Sequence, residues 1–316
     1  MQQNFIQGNV TRPCLNLPDP LRSRMQKSAL PGILNHYPTG KDSMPASFEL
    51  DALAREVKAA QDDVRQIAPL TSCHPDFDLA SAYALADLMH QARMREGATP
   101  VGRKIGFTNP DMWSVYGVHE PIWAHVYDTT VVHVGERSAT CSIGRFAEPK
   151  IEPEIVFHFR SAPPPDGDLA AILACIDWVA HGFEIVQSHF PGWKFKAPDT
   201  VADGSLHGTL LVGEPQPIDA LGLDLMDSLK RFSLTLFCND DVSETGMGAN
   251  VLGGPLAAIA HLNAVLAKQP QFSPLQAGEL VTTGTITAAR AIKPGEVWWT
   301  EIDGIALRGL SVEFTA

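Results

Sequence analysis

The sequence predicts an α+β fold, with helices first and a strand-rich body after them. Two patterns carry this reading. Between Ser47 and about Glu96 the apolar residues recur at helical spacing. After Pro100 they fall into short runs and alternations cut by Gly, Pro and Asn. With 45% hydrophobic and 19% charged residues over a length of 316, the chain supports a substantial core and one large domain, with or without an appendage.

Residues 1–46 mix Pro, Asn, Ser and Arg without periodicity, as in Leu17-Pro-Asp-Pro20 and Tyr37-Pro-Thr-Gly40. They are read as a mobile arm. A processed targeting segment and a true start at Met44 are the alternatives. Over residues 47–98 the positions Phe48, Leu50, Leu53 and Val57, then Leu79, Ala82, Leu85, Leu88 and Met89, specify two helices separated by the Pro69–Asp76 region. The β-rich part, 99–316, has expected strands at Val101–Phe107, Val126–Val134, Ile151–Phe159, Glu184–Gln187 and Thr209–Val212. One helix interrupts them, with Asp168 as N-cap and Leu169, Ile172, Leu173, Ile176 and Val179 as its apolar face. Further strands are expected at Arg231–Asn239, Leu280–Thr287, Glu296–Ile302 and Leu307–Phe314, with a helix around Pro255–Lys268.

Charge and cysteine usage narrow the function classes. Lys plus Arg number 24 against 36 Asp plus Glu, a net charge of −12, so a surface that tracks phosphates would work against the overall field, and nucleic acid is not an expected partner. The five cysteines are scattered and show no C-x-x-C spacing, which speaks against a disulfide framework and a zinc site and for a cytoplasmic setting. No run approaches the roughly 18 consecutive apolar residues of a membrane span, and no membrane association is expected.

The segment Glu148-Pro-Lys-Ile-Glu152-Pro-Glu154-Ile-Val-Phe157 is the densest in chemistry. On a strand, residues i and i+2 share a face with Cα atoms about 6 to 7 Å apart, so Glu152 and Glu154 project together. Two carboxylates on an otherwise apolar strand require a cation, a basic partner or open solvent. An exposed edge strand, suggested by Pro153, is the competing reading of this pair alone. Glu184, in the apolar His181-Gly-Phe-Glu184-Ile-Val-Gln187, shifts the balance. A strand–helix–strand unit of this length can set the two strands side by side and converge three carboxylates, an oxygen-only donor set suited to Mg²⁺ or Mn²⁺.

Five segments, in order and at fitting separations, resemble one family: Val101-Gly-Arg-Lys104-Ile-Gly-Phe-Thr-Asn109, Ile151-Glu-Pro-Glu-Ile155, Phe183-Glu-Ile-Val186, Asp199-Thr-Val-Ala-Asp203 and Val281-Thr-Thr-Gly-Thr285. The chain from about residue 50 to 316 resembles the 2-oxopent-4-enoate hydratase and 4-oxalocrotonate decarboxylase branch of the fumarylacetoacetate hydrolase superfamily. The resemblance implies a mixed β-roll, a Mg²⁺ or Mn²⁺ held by Glu152, Glu154 and Glu184, and a homo-oligomer. It also implies a small 2-oxo or 2-hydroxydienoate acid as substrate, whose C1 carboxylate and C2 oxygen chelate the metal. Metal bound at the C2 oxygen stabilises the enolate shared by tautomerisation, decarboxylation and hydration.

Lys104 is then expected near the substrate carboxylate, as a fixed charge in preference to a base, or as a proton-transfer group. Thr283, Gly284 and Thr285 form a strand-end turn whose small residues let backbone N–H groups approach an anion. Asp128 falls where relatives carry an active-site Asp, although the local spacing differs by about one residue. Asp203, with Asp199, either shuttles protons or caps a turn. His207 and His261 are read as structural or exposed. The departures are Gln187 and His189 beside Glu184, and His119-Glu120 with His125 in an expected rim loop, where a His–Glu pair could activate water.

The expected activity is metal-assisted hydration of a 2-hydroxyalka-2,4-dienoate in aromatic catabolism. Decarboxylation of a 2-oxo-enedioate, C–C hydrolysis of an acylpyruvate-like substrate, and a non-catalytic partner subunit are the alternatives.

Overall fold

The computed structural model describes residues 47–316 apart from Glu136, Gly167 and Leu223, so the arm expected over 1–46 lies outside the described residues. The helical segment yields α1 (Ser47–Asp62) and α3 (Leu79–Arg95), with a single turn, α2 (Leu70–Cys73), inside the separator. Asp78 caps α3 by accepting the Ser81 N–H at 2.8 Å. Leu53, Val57 and Ala60 of α1, and Ala82, Leu85 and Met89 of α3, are buried on their spaced apolar faces.

The β-rich part begins with β1 (Pro100–Gly106), α4 (Trp113–Tyr116), β2 (Ile122–Tyr127), β3 (Val131–His133) and β4 (Ser138–Ser142). It continues with β5 (Lys150–Phe159), α5 (Leu169–Ala174), β6 (Ile176–Val186), α6 (Ala197–Ala202), β7 (His207–Val212) and the short β8 (Gln216–Pro217). Then come α7 (Leu225–Arg231), β9 (Ser233–Cys238), β10 (Asp241–Met247), α8 (Pro255–Ala267), β11 (Leu280–Thr282), β12 (Arg290–Ala291), β13 (Val297–Asp303) and β14 (Ser311–Thr315).

Two mixed sheets result. The nine-stranded sheet runs β2-β1-β11-β5-β6-β7-β3, with β12 beside β5 and β8 beside β6; the five-stranded sheet runs β10-β9-β13-β14-β4. The β1–β11, β3–β7 and β4–β14 pairs are parallel and the other pairs antiparallel. On β5 the odd positions Ile151, Ile155, Phe157 and Phe159 enter the main core. On its other face Val156 joins Ala180, Leu210, Val212 and Leu280 in a second apolar cluster, and Glu152 and Glu154 continue that face.

Two glycines are required by this arrangement. A Cβ on Gly102 would sit 1.9 Å from the Leu280 carbonyl oxygen, so the close β1–β11 pairing demands glycine in the Gly-Arg-Lys motif. Gly284 has φ +95°, and a Cβ there would sit 2.1 Å from Thr108 Oγ1.

Three expectations are corrected. The helix starting at Asp168 ends at Ala174, and Ile176-Asp-Trp-Val-Ala runs on as strand, because its β-branched and aromatic residues pair with β5. The strand expected over 126–134 is two, broken by the turn at 128–130. The strand expected from Leu280 stops at Thr282, where the chain prepares the positive φ of Gly284. Gly248–Ala267 is long and apolar enough by length and composition to cross a membrane, although Asn250, His261 and Asn263 interrupt it, and 61% of its most apolar 18 residues are buried within the fold.

Candidate metal centre and its cleft

Strand register brings the three glutamates together. Glu152 lies opposite Glu184 in the antiparallel β5–β6 ladder, and Glu154 follows on the same face opposite Gly182, where no side chain intervenes. One oxygen from each of the three carboxylates lies within 4.8 Å of the other two. Glu154 and Glu184 are buried, and Glu152 is half-buried at the cleft. Pro153 fits an interior strand here because its carbonyl faces the loop after β11, accepting the Ile286 N–H at 2.9 Å, in a gap between β11 and β12.

Each buried carboxylate is held by specific partners. Glu154 Oε2 accepts the Gly284 N–H at 2.7 Å and the Thr282 hydroxyl, while its Oε1 is buried with no hydrogen-bond partner. Glu184 Oε1 lies 2.7 Å from His207 Nδ1, whose Nε2 is 2.9 Å from Thr130 Oγ1. Glu184 Oε2 makes no hydrogen bond and stands 3.2 Å from Lys104 Nζ. Lys104 also donates to the Ser205 carbonyl at 2.9 Å and is itself buried.

Three glutamates with one lysine make an unbalanced cluster. Burial, with Glu184 adding to it, pushes the Glu152 carboxyl up to about 7 against the pull of Lys104 and Lys150. Burial and the two neighbouring carboxylates raise Glu154 well above the usual range. Burial also opposes ionisation of Glu184, but Lys104 and His207 outweigh it and hold that carboxyl down at about 2. Lys104 is raised: burial disfavours its charge, and the three glutamates more than restore it. The cluster thus lacks positive charge, and two inward oxygens have no hydrogen-bond partner. A hard divalent cation meets both needs, and the all-oxygen donor set fits one. His207 and Thr130 would orient Glu184 from behind, and Gly284 and Thr282 would orient Glu154.

Beside Glu152 and Lys104 opens a cleft of about 760 Å³. Lys104, Glu152, Ser205, Gly284 and Thr285 line its metal end. Gly284 and Thr285 thus reach the cleft as expected from the sequence, but the anion bound by the Gly284 N–H is Glu154 itself. Thr283 does not present its polar groups to the cleft, since both its N–H and its hydroxyl go to the Ile155 carbonyl, at 3.1 and 3.0 Å.

The aspartates expected to be catalytic lie elsewhere. Asp128 is exposed beyond β2, at the Pro100 end of β1, where its carboxylate accepts the Thr99 N–H at 2.9 Å; it does not line the cleft. Asp203 is buried, accepting from Gln61 Nε2 at 3.0 Å and lying 2.7 Å from His189 Nδ1, so it braces the turn that carries Ser205. Asp199 caps α6 through the Lys196 N–H at 2.8 Å and binds the Thr71 hydroxyl at 2.7 Å. The rim pair is absent as a pair. Glu120 is bonded to Lys268 at 2.5 Å, and His125 stacks on His90 with burial driving it to about 2, a neutral ring at any working pH.

His207, Thr130, Thr282 and Ser205 are the site residues that sequence reasoning missed. His207 begins β7 directly beside the Glu184 strand, but its contact spans 23 residues in sequence and leaves no local pattern.

No family model matches the chain. It is 32% identical over 253 residues to the 2-keto-4-pentenoate hydratase of Paraburkholderia xenovorans (strain LB400), covering 80% of this chain and 90% of that protein. It is 31% identical over 247 residues to the 4-oxalocrotonate decarboxylase of Pseudomonas sp. (strain CF600), covering 78% and 89%. Among solved structures, the 4-oxalocrotonate decarboxylase from Pseudomonas putida G7, complexed with magnesium and adipate, superposes with a TM-score of 0.78 at 27% identity, covering 86% of this chain and all of that one.

Proposed function

The chain belongs to the 2-keto-4-pentenoate hydratase and 4-oxalocrotonate decarboxylase branch of the fumarylacetoacetate hydrolase superfamily, and from that premise we propose that it is a metal-dependent lyase. The reaction is hydration of a 2-hydroxyalka-2,4-dienoate to a 4-hydroxy-2-oxo acid in aromatic catabolism, with Mg²⁺ or Mn²⁺ held by Glu152, Glu154 and Glu184. A homo-oligomeric assembly is part of the same proposal and rests on the family resemblance.

The observation that carries it is the cluster of three carboxylates within 4.8 Å with the buried Lys104 beside them, joined to the cleft through Glu152 and Lys104. A divalent cation bound there supplies Lewis-acid stabilisation of the negative charge that builds on the C2 oxygen of a 2-oxo acid. The chain's own groups do the rest. Lys104, whose charge its glutamate neighbours favour, offsets the charge of the substrate. Ser205 lines the cleft, and its buried hydroxyl makes no hydrogen bond. His207 and Gly284 keep the glutamates oriented.

Decarboxylation of a 2-oxo-enedioate is the second reading, and one observation favours it. Lys150 shares the β5 face with Glu152, lines the cleft, and is a second cation within reach of a distal carboxylate. Purified protein with Mg²⁺ or Mn²⁺, given 2-hydroxypenta-2,4-dienoate or 4-oxalocrotonate, separates the two. Hydration consumes the ultraviolet chromophore without gas, and decarboxylation releases CO₂. Turnover that survives both EDTA and the double change Glu152→Ala, Glu154→Ala would sink the metal-dependent reading.

A further inference from the structure

Away from the glutamates the cleft has a different character. Phe107, from the loop after β1, Tyr116, from α4, and Phe195 and Trp193, from the loop after β6, all line it and are all half-buried. They form a continuous series. Phe107 and Tyr116 stack at 4.7 Å and 30°, Tyr116 and Phe195 at 5.8 Å and 20°, and Phe195 and Trp193 tilt at 6.1 Å and 56°. Lys150 Nζ lies 3.7 Å above the Trp193 ring, and Lys150 is two residues before Glu152 on one strand face, so the ring series is joined to the metal centre.

The series is fixed in place. Trp193 Nε1 donates to the Glu148 carbonyl at 3.0 Å, and Trp113 Nε1 donates to the Phe107 carbonyl at 2.7 Å, pinning the loop to α4. Three separate chain segments therefore meet to hold four rings half open to one space. Aromatic side chains with no further role would gain more by full burial, whereas rings left half open on a preformed cleft offer an apolar wall to a flat ligand.

We propose that this wall receives the substituent at the far end of the substrate, and that this substituent is an aromatic ring. The acid this protein takes is thus an aryl-substituted 2-hydroxydienoate, in preference to the unsubstituted five-carbon acid. The proposal rests on the reading that a 2-oxo acid head binds at the glutamate cluster. A five-carbon acid at the metal end leaves most of the 760 Å³ cleft to water. A planar ring displaces that water and packs against the half-open rings of this wall, and burying it adds affinity that a short chain cannot.

The test is equilibrium binding to Mn²⁺-loaded full-length protein by titration calorimetry, with three unreactive acids: 2-oxobutanoate, 2-oxo-4-phenylbutanoate and the linear 2-oxodecanoate, which matches the phenyl acid in carbon number. The expected result is metal-dependent binding with 2-oxo-4-phenylbutanoate at least about tenfold tighter than either comparator, the scale of one stacked and buried ring. In Tyr116→Ser and in Trp193→Leu, each checked for an unchanged melting transition, the phenyl-to-butanoate affinity ratio falls severalfold.

Metal-dependent binding of all three acids with similar affinity overturns the aromatic assignment and leaves the head-group reading intact. Equal binding of the phenyl and decanoate acids also overturns it, in favour of a merely greasy channel. A phenyl preference that survives both variants shows that the wall is not its source. If none of the acids binds, or binding ignores the metal, the head-group reading fails and the proposal goes with it.

Discussion

His207 Nδ1 lies 2.7 Å from Glu184 Oε1 while its Nε2 lies 2.9 Å from Thr130 Oγ1, so a chain of hydrogen bonds enters the glutamate cluster from behind and fixes one carboxylate. Glu184 keeps its other oxygen directed at Lys104 and the centre. Removing the brace in His207→Ala is expected to weaken Mn²⁺ or Mg²⁺ binding about 10- to 100-fold, the usual effect of losing an outer-shell partner. Titration calorimetry checks this; unchanged affinity would show that Glu184 needs no support from His207.

Metal binding should be linked to protons near neutral pH. Glu152, pushed up to about 7, and Glu154, raised further by burial and its neighbours, hold protons that a cation must displace. The apparent affinity for Mn²⁺ is therefore expected to rise between pH 6 and 8. Calorimetry in buffers of different ionisation enthalpy should register proton release.

The same shifts set the pH dependence of the metal-free fold. A carboxyl raised in the folded state stabilises it fully below the ordinary carboxylate value, and that contribution is lost as pH rises through the folded value, about 7 for Glu152. With EDTA present the melting temperature should fall as pH is taken from 5 to 8, and added Mg²⁺ should restore it at the upper end. A flat metal-free profile would contradict the buried, proton-holding cluster.

Lys104 competes with the cation for Glu184, since its Nζ stands 3.2 Å from Glu184 Oε2. Lys104→Met is expected to leave metal affinity equal or higher, because a positive charge is removed from beside the cation, while turnover falls about 100-fold or more through loss of the charge facing the substrate. Parallel loss of metal binding and turnover would place Lys104 in the support of the cluster alone.

Asp128 and Gly284 should separate cleanly. Asp128→Ala removes one acceptor for the Thr99 N–H at an exposed turn, and is expected to cost about 1 kcal/mol or less with kcat/KM near that of the unaltered protein. Gly284→Ala must accommodate a Cβ 2.1 Å from Thr108 Oγ1 at φ +95° and is expected to cost on the order of 1–3 kcal/mol or more, read by urea denaturation.

Much of the fold and part of the site were legible before any coordinates. Local periodicity and apolar runs placed α1, α3, β1, β5, β9 and α8 within a few residues, because the spacing of apolar residues follows from each element's own geometry. The boundary at Ala174 was misread because an apolar run such as Ile176-Asp-Trp-Val-Ala satisfies a helix as well as a strand until a pairing partner decides. Asp128 was carried over from the resemblance alone, with a local spacing off by about one residue, and the structure sets it at the exposed turn after β2, outside the cleft lining.

By itself, the sequence determined which residues carry the charge problem. Glu152 and Glu154 share a face by strand geometry, and Glu184 recurs on the next apolar strand. Only the tertiary structure decided that Glu152 and Glu184 stand in register, that His207, Thr282 and Gly284 support the carboxylates, and that Asp203 binds His189 and not the cleft. The reason is physical. Side-chain direction repeats along a strand and can be read locally, whereas register, hydrogen-bond partners and the burial that moves a carboxyl's pKa are fixed by segments far apart in sequence.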